Sequence, residues 1–307
     1  MDRLLRPLFV LLWSSGFLAG VFGTRDTPAL ALSVWRFLIA AGLLLTVAVF
    51  TRAPWPRTRR EWRDLIVTGT LLQAVQFGAA YSAVALGVPA GLAALVLCLS
   101  PVLVAVASGP VLGERLGRRG ALGSAVAVAG ALVAGAGHLD DGGSLLGITL
   151  LLVGLLGFAG GTLYQKRSGA AMDLRTGTVV QLLTGAVVLA PLSFIVEGGI
   201  PLPTTPTGFA ALAWLAVANS IGAVLILFVL LRRGTGAGVS GLLYLVPAVT
   251  AVLAVPVLGQ AVDAETLAGL AVTLVGVVLV NGRGTAAGRA LPASERSLAG
   301  QSAGPCA

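Results

Sequence analysis

The chain has 307 residues, of which 57% are hydrophobic and only 10% are charged, and its mean hydropathy is +0.97. A soluble globular domain carries about 25% charged residues, and a water-soluble fold of this size could not bury so much apolar surface. Lipid is therefore the expected solvent for most of the chain, which excludes soluble enzymes, nucleic-acid-binding modules and disordered proteins. We interpret the net charge of +8 as a marker of membrane orientation.

Ten segments are predicted to be transmembrane helices, because each offers about 20 mostly apolar residues. In chain order they lie at about 6–23, 29–50, 65–87, 90–111, 120–137, 145–164, 176–195, 208–231, 236–258 and 264–281. The connecting loops are short. The tail, 283–307, is rich in Gly, Ala, Ser and Arg and is predicted to be disordered. The predicted fold class is an all-α membrane protein with a lipid bilayer as its surroundings.

Basic residues are distributed over the loops as the positive-inside rule requires. If the N-terminus is cytoplasmic, all of the 20 basic residues except Arg25 and Arg36 fall on the cytoplasmic side. The predicted external loops carry acidic residues instead, namely Asp140, Asp141, Glu197, Asp263 and Glu265. We therefore predict that both termini are cytoplasmic.

An internal repeat relates the two halves at an offset of 146 residues, measured from Pro101 to Pro247. Each of these prolines is followed nine residues later by Pro-Val-Leu-Gly, at 110–113 and at 256–259. At the same offset the chain pairs Gly123 with Gly269 and Gly130 with Gly276. A repeat of this regularity is hard to attribute to composition alone.

The repeat predicts two five-helix units, at 5–137 and 144–282. Because five is an odd number of spans, the second unit would be inverted in the membrane relative to the first. Two inverted repeats around a central cavity are the architecture of secondary transporters, in which similar halves exchange conformations around a shared site. The alternative to this transport role is a repeat that serves folding only.

Several short motifs resemble those of one transporter family. They are Trp13-Ser14-Ser15-Gly16-Phe17, Trp35-Arg36-Phe37, and the pattern of Pro101, Leu112-Gly113-Glu114, Gly123 and Gly130. On these motifs the chain resembles the EamA family of the drug/metabolite transporter superfamily, over about residues 5–282. The resemblance implies a two-unit bundle that carries small metabolites across the bacterial inner membrane, with export as the expected direction.

Polar and amphipathic residues near the middle of the predicted spans are the candidate substrate-binding groups, because polar groups at that depth tend to face a cavity or a partner. They are Trp13, Ser14, Ser15, Gln73, Gln76, Asn219 and Tyr244. Gln73 and Gln76 are three residues apart and would share one helical face. Amides and hydroxyls suit a zwitterionic or polar neutral solute. The alternative is that these groups bond to neighbouring helices.

Arg36 is the sole charged residue well inside a predicted span. An arginine at a helix centre costs roughly 2.5–3.5 kcal/mol on insertion scales. Arg36 could anchor a substrate carboxylate, or it could hold helix ends together through carbonyl groups, which is the interpretation we favour. Tyr81 and Tyr164 lie nearer helix ends and are predicted to anchor at the membrane interface.

The prolines and glycines of the repeat predict where the helices bend and where they pack closely. Pro101 and Pro247 should each remove a backbone hydrogen bond within a helix, so they are either paired hinges or static kinks. The glycines of the repeat predict close helix packing, either within one chain or at the seam of a homodimer.

Other function classes find little support in the sequence. No His-Glu-x-x-His motif is present, and no paired carboxylates lie at membrane depth, so no catalytic residues are expected. With a single histidine and two cysteines, no metal or cofactor is expected either. A membrane-embedded enzyme and a non-selective channel remain the alternatives. We predict a secondary transporter that moves an amino-acid-like or other small polar or amphipathic solute, or a drug, by alternating access.

Overall fold

The computed structural model describes residues 2–113, 117–140, 145–168, 173–223, 225–226, 229–230, 242–243, 245–260 and 264–281. All regular structure in these residues is helical, which confirms an all-α protein. The α-helices are α1 (Asp2–Asp26), α2 (Ala29–Phe50), α3 (Arg59–Gly69), α4 (Gln76–Ala85), α5 (Ala90–Leu97), α6 (Ser100–Leu112), α7 (Arg118–Asp140), α8 (Leu145–Ser168), α9 (Leu174–Glu197), α10 (Pro206–Ala213), α11 (Val246–Leu258) and α12 (Ala264–Asn281). Two π-helical segments accompany them, π1 (Thr70–Val75) between α3 and α4, and π2 (Trp214–Ala223) after α10.

Among the described residues, six helical stretches are long and apolar enough to cross a bilayer, and they correspond to six of the ten predicted spans. They are Leu4–Asp26, Ala29–Phe50, Ala90–Leu112, Leu145–Ser168, Leu174–Glu197 and Pro206–Ala223. Large apolar side chains cover their outward faces; Phe50 is 83% exposed and Ile195 is 79% exposed. Such continuous apolar surface is stable in lipid and not in water, so the chain is a multi-pass membrane protein. The predicted tail, 283–307, lies outside the described residues.

One end of the bundle, which we call the basic end, contains residues 54–64, 164–168 and 173–176. The Thr176 hydroxyl donates to the Pro54 carbonyl over 2.7 Å, and the Tyr164 hydroxyl donates to the Asp64 carboxylate over 2.7 Å. These contacts bring together most of the basic residues on this part of the chain, namely Arg57, Arg59, Arg60, Arg63, Lys166, Arg167 and Arg175.

The opposite end, which we call the acidic end, uses carboxylates to cap helices. Glu197 accepts hydrogen bonds from the backbone amides of Leu30 and Ala31, at 2.8 and 2.9 Å. This matters because the residue that precedes α2 is Pro28, whose side chain cannot cap a helix. Asp26 likewise accepts from the backbone amide of Thr204 at 2.8 Å, just before α10. Carboxylates at helix N-termini are favoured by the helix dipole.

Two pairs of helices from the two halves of the chain pack antiparallel. The start of α2 meets the end of α9 through Glu197, while residues just after α2 meet the start of α9 through Thr176. Helices α7 and α12 approach so closely that a Cβ added at Gly123 would lie 2.8 Å from the Gly276 carbonyl. The glycines of the repeat therefore face each other within one chain, which was one of the two predicted uses.

The prolines of the repeat begin helical segments instead of interrupting them. Pro101 stands in the first turn of α6, after a break at Cys98 and Leu99, and Pro247 stands in the first turn of α11. The preceding residues have similar backbone angles: φ −75° and ψ −8° at Leu99, φ −79° and ψ −18° at Leu245. A proline in the first turn has no intrahelical bond to lose. Within the longer apolar span Ala90–Leu112, however, the missing N–H of Pro101 coincides with the break at Cys98 and Leu99, and the choice between paired hinges and static kinks stays a prediction.

Candidate solute-binding cavity

A cavity of about 330 Å³, which we call the central cavity, lies between α1, α2, α4 and the two π-helical segments. Five of the candidate binding and anchor residues predicted from the sequence line it: Trp13, Arg36, Gln73, Gln76 and Asn219. Its walls are largely apolar and include the rings of Phe17, Phe77, Tyr81 and Phe158. Mostly apolar walls with a few convergent polar groups are typical of small-molecule sites.

A second cavity of about 470 Å³ extends from the central cavity toward the basic end, and we call it the basic-end cavity. Trp13, Phe17, Gln76 and Phe158 line both cavities, so the two are adjacent. The basic-end cavity is also lined by Cys98, Pro101, Ser108, Thr162, Lys166 and Pro247. Both prolines of the repeat thus lie at its wall, where a movement of the start of α6 or of α11 would alter its shape.

The π-helical segments supply two of the three amide side chains among the described lining residues of the central cavity. Gln73 lies in π1 and Asn219 in π2, and the two positions are separated by the same 146 residues as the prolines. The wider turn is visible at Ser220, whose hydroxyl donates to the carbonyl of Leu215, five residues earlier, over 2.9 Å. Single π-turns inside α-helices occur frequently at functional sites.

The side-chain amides of Gln73 and Gln76 make no hydrogen bond to any residue in the described part of the chain. Gln76 is only 8% exposed, and both residues line the central cavity. A control is offered by Gln181, which is outside both cavities and donates to the Thr68 hydroxyl over 3.0 Å. Because a buried amide without a partner is costly, Gln73 and Gln76 are available to bond to a solute or to water.

Ser14 and Ser15 line neither cavity, and their hydroxyls contact neighbouring helices. Ser14 is fully buried and donates to the Val246 carbonyl over 3.2 Å. Ser15 accepts from the Trp214 indole nitrogen over 2.8 Å and donates to the Leu12 carbonyl. These contacts agree with the interhelical alternative, and a substrate-binding role of the two serines stays a prediction. Tyr244, the remaining predicted residue, lies outside the described residues.

Asn219 holds α1 and α2 against π2. Its amide nitrogen donates to the Leu12 carbonyl over 3.0 Å, and its amide oxygen accepts from Arg36 over 2.9 Å. The side chain fits because residue 16 is glycine: a Cβ at Gly16 would lie 2.8 Å from the Asn219 side-chain carbon Cγ. Asn219 thus both joins neighbouring helices and lines the central cavity.

Arg36 is buried, with 3% of its surface exposed, and its guanidinium is held by neutral groups. It donates to the Ser220 hydroxyl over 2.9 Å, to the Asn219 amide oxygen and to the Tyr81 hydroxyl. Its central carbon lies 4.3 Å from the centre of the Phe77 ring, an arrangement that is attractive for a cation. Arg36 thus joins α2 to α4 and π2; among the described residues its acceptors are side chains at the cavity wall in place of the helix-end carbonyls that we expected.

Tyr81, Ser220 and Phe77 are site residues that the sequence analysis did not identify. Tyr81 is 4% exposed, so its predicted role as an interface anchor was wrong. One signal could have identified Tyr81 and Ser220: an arginine buried within the membrane needs hydrogen-bond acceptors at the same depth in the membrane. Tyr81 and Ser220 are hydroxyl residues within predicted spans.

Comparisons with known proteins agree with this architecture. The sequence profile of the EamA-like transporter family matches residues 4–136 and 145–282. The chain is 28% identical to an uncharacterized inner membrane transporter, YedA, of Escherichia coli, over 91% of this chain and 92% of that protein. It is 29% identical to a "probable terminal-alkyne amino-acid exporter" of Streptantibioticus cattleyicolor, over 90% of this chain and 92% of that protein.

A solved crystal structure shares the fold, with a TM-score of 0.64 and 20% identity over 90% of this chain and 96% of that one. The family match covers both halves of the chain. The resemblance found in the sequence is thereby confirmed, and the chain belongs to the EamA-like transporter family.

Proposed function

We propose that the chain is a secondary transporter that carries a small amino-acid-like or amphipathic solute outward across the inner membrane by alternating access. One observation carries this proposal: the central cavity lies between irregular helical segments that occupy equivalent positions in the two halves of the chain. Gln73 of π1 and Asn219 of π2 are the repeat-related residues that line it. Irregular helices at a site between repeats are the common design of secondary carriers.

The proposed architecture has ten spans in two inverted five-helix units, at 5–137 and 144–282. The packing supports it, because partners exchange between the halves: α1 packs on π2 and α11, whereas α8 packs on π1 and α6. The repeat-related pairs α2 with α9 and α7 with α12 run antiparallel, as inversion requires. Matching left-handed glycines end α6 and α11, with φ of 73° at Gly113 and 67° at Gly259.

The chemistry of the cavity supports a solute with both polar and apolar parts. The unpaired amides of Gln73 and Gln76 can donate and accept hydrogen bonds, and Trp13, Phe17 and Phe158 offer flat apolar surface. The relative from S. cattleyicolor is named for the export of an amino acid. An amino-acid-like solute moved outward is therefore the form of transport that we propose.

The proposed orientation places the basic end and both termini in the cytoplasm, in accord with the positive-inside rule. A fluorescent reporter fused after Gly282 should then fluoresce in the cytoplasm, and an alkaline phosphatase inserted in the 138–143 loop should be active in the periplasm. The reverse result at either position would contradict the inverted arrangement.

Solute counterflow into proteoliposomes tests the proposed activity. Liposomes that contain the purified protein and an excess of an unlabelled amino acid should transiently accumulate the labelled amino acid above its external concentration. This uptake should saturate, because each cycle of a carrier moves bound solute. Ion currents at channel rates, without saturation or counterflow, would contradict the proposal and favour a channel.

A further inference from the structure

We propose that Arg36 is the anion subsite of the central cavity and that it selects solutes that bear a single carboxylate. This inference rests on the proposed transport function and deepens it. Arg36 is buried and lines the central cavity. In the described part of the chain it has no carboxylate partner, because its three bonded side chains are Tyr81, Asn219 and Ser220.

The number of donors on Arg36 leaves room for a carboxylate. A guanidinium has five N–H groups in a planar fork. The structure uses three of them, one on each nitrogen: Nε to Ser220, one terminal nitrogen to Tyr81 and the other to Asn219. One N–H on each terminal nitrogen remains without an acceptor among the described residues. Two donors on the two terminal nitrogens are what a carboxylate takes up in a bidentate pair.

The charge balance of the cavity points to the same solute. No aspartate or glutamate is among the described residues that line the central or the basic-end cavity. A cation without a counter-ion is costly in a low-dielectric site, and the neutral partners of Arg36 orient it without neutralising it. A solute carboxylate would complete the ion pair, so its binding gains an attraction that the empty site lacks.

The position of the second cation limits the solute to one carboxylate. Lys166 lines the basic-end cavity, whereas Arg36 is the lining cation of the central cavity among the described residues. The rest of the central cavity wall is mostly apolar and includes Phe17, Phe77 and Phe158. A solute with one carboxylate and a compact apolar body therefore fits the cavity. The described lining residues include no acidic side chain that would pair with an ammonium group on the solute.

Three probes with the same branched body separate these features: L-leucine, 4-methylpentanoate, which lacks the amino group, and L-leucinamide, which lacks the carboxylate. Binding to the purified full chain can be measured by titration calorimetry in detergent. We expect both carboxylates to bind more than about tenfold more tightly than L-leucinamide, because bonds to a charged group are the strong ones. Equal binding of L-leucinamide, or no binding of either carboxylate, would overturn the inference.

Two variants test the role of Arg36 itself, with Arg25→Gln, an exposed arginine at the acidic end, as the matched control. Arg36→Gln should abolish the preference for carboxylates. Asn219→Asp supplies an internal carboxylate at 2.9 Å from the guanidinium, so it should weaken 4-methylpentanoate binding more than about tenfold while the protein stays folded. Unchanged affinity for 4-methylpentanoate in a folded Asn219→Asp protein would overturn the inference.

Counterflow with the same probes separates this inference from the proposed function. If counterflow of L-leucinamide is as fast as that of L-leucine and is unaffected by Arg36→Gln, the transporter proposal stands and the anion subsite fails. If 4-methylpentanoate binds in an Arg36-dependent way but neither carboxylate shows counterflow, the subsite stands and the transporter proposal fails.

Discussion

The contact between α7 and α12 and the central cavity use the same internal repeat in opposite ways. In the α7–α12 contact, repeat-related glycines face each other and leave no space for a side chain; a Cβ at Gly276 would lie 2.6 Å from both the Ala127 Cα and the Gly123 carbonyl. In the central cavity, the repeat-related residues Gln73 and Asn219 line a space of about 330 Å³. Small residues thus let α7 and α12 pack without a gap, whereas irregular helical segments leave space for the central cavity.

This difference predicts where the protein tolerates change. Backbone-to-backbone packing in a membrane depends on contact distance, since lipid offers no hydrophobic driving force between helices. The α7–α12 contact should therefore determine the stability of the bundle. The cavity, where the Gln73 and Gln76 amides have no partners among the described residues, should determine the binding of solute. Substitutions in the α7–α12 contact should thus change the melting temperature, and substitutions in the cavity should change solute affinity.

The largest effect is expected for Gly276→Ala. The added methyl group would collide with the backbone of α7 at Ala127 and Gly123, so the helices would have to separate. Overpacking of this kind costs about 1–3 kcal/mol, and the melting temperature in detergent should fall accordingly. Gly42→Ala is the matched control, because nothing lies within 4 Å of the added Cβ there. An equal melting temperature for both variants would contradict the proposed importance of the α7–α12 contact.

A smaller effect, on solute affinity, is expected for Gln73→Ala and Gln76→Ala. Each removes an amide that can bond to the solute, and a neutral hydrogen bond contributes about 0.5–1.5 kcal/mol, which corresponds to roughly two- to tenfold in affinity. The melting temperature should hardly change, since neither amide has a protein partner in the described part of the chain. Gln181→Ala, which loses its bond to Thr68, should show the opposite pattern. Unchanged transport with lowered stability in the cavity variants would contradict their placement.

The smallest effect is expected for Ser14→Ala. Its hydroxyl donates from α1 to the Val246 carbonyl at the start of α11, and interhelical bonds of this type average about 0.6 kcal/mol in one membrane protein. We expect a slightly lower melting temperature with unchanged solute affinity. A loss of affinity without a loss of stability would place Ser14 in the binding site after all.

The sequence predicts well those features that depend on composition and period. Apolar runs predict the six spans that the described residues contain, and the repeated Pro-Val-Leu-Gly motif leads to the matched helix ends at Gly113 and Gly259. The π-helical segments around Gln73 and Asn219 could not be predicted, because stretches of 6 and 10 residues are too short to leave a periodic signal of their own. The partners of Arg36 and Ser14 could not be predicted either, since Ser220 and Val246 lie far along the chain and only the fold brings them close.

Access to Gln76 from both sides of the membrane tests the central claim most directly, because Gln76 lines both cavities. The variant is Gln76→Cys in a protein whose two native cysteines, Cys98 and Cys306, are replaced by alanine. A membrane-impermeant thiol reagent is added to right-side-out and to inverted vesicles. Alternating access predicts modification from both sides in vesicles that remain impermeable to the reagent and to ions. Modification from one side only, or from both sides with ion leakage at channel rates, would contradict it.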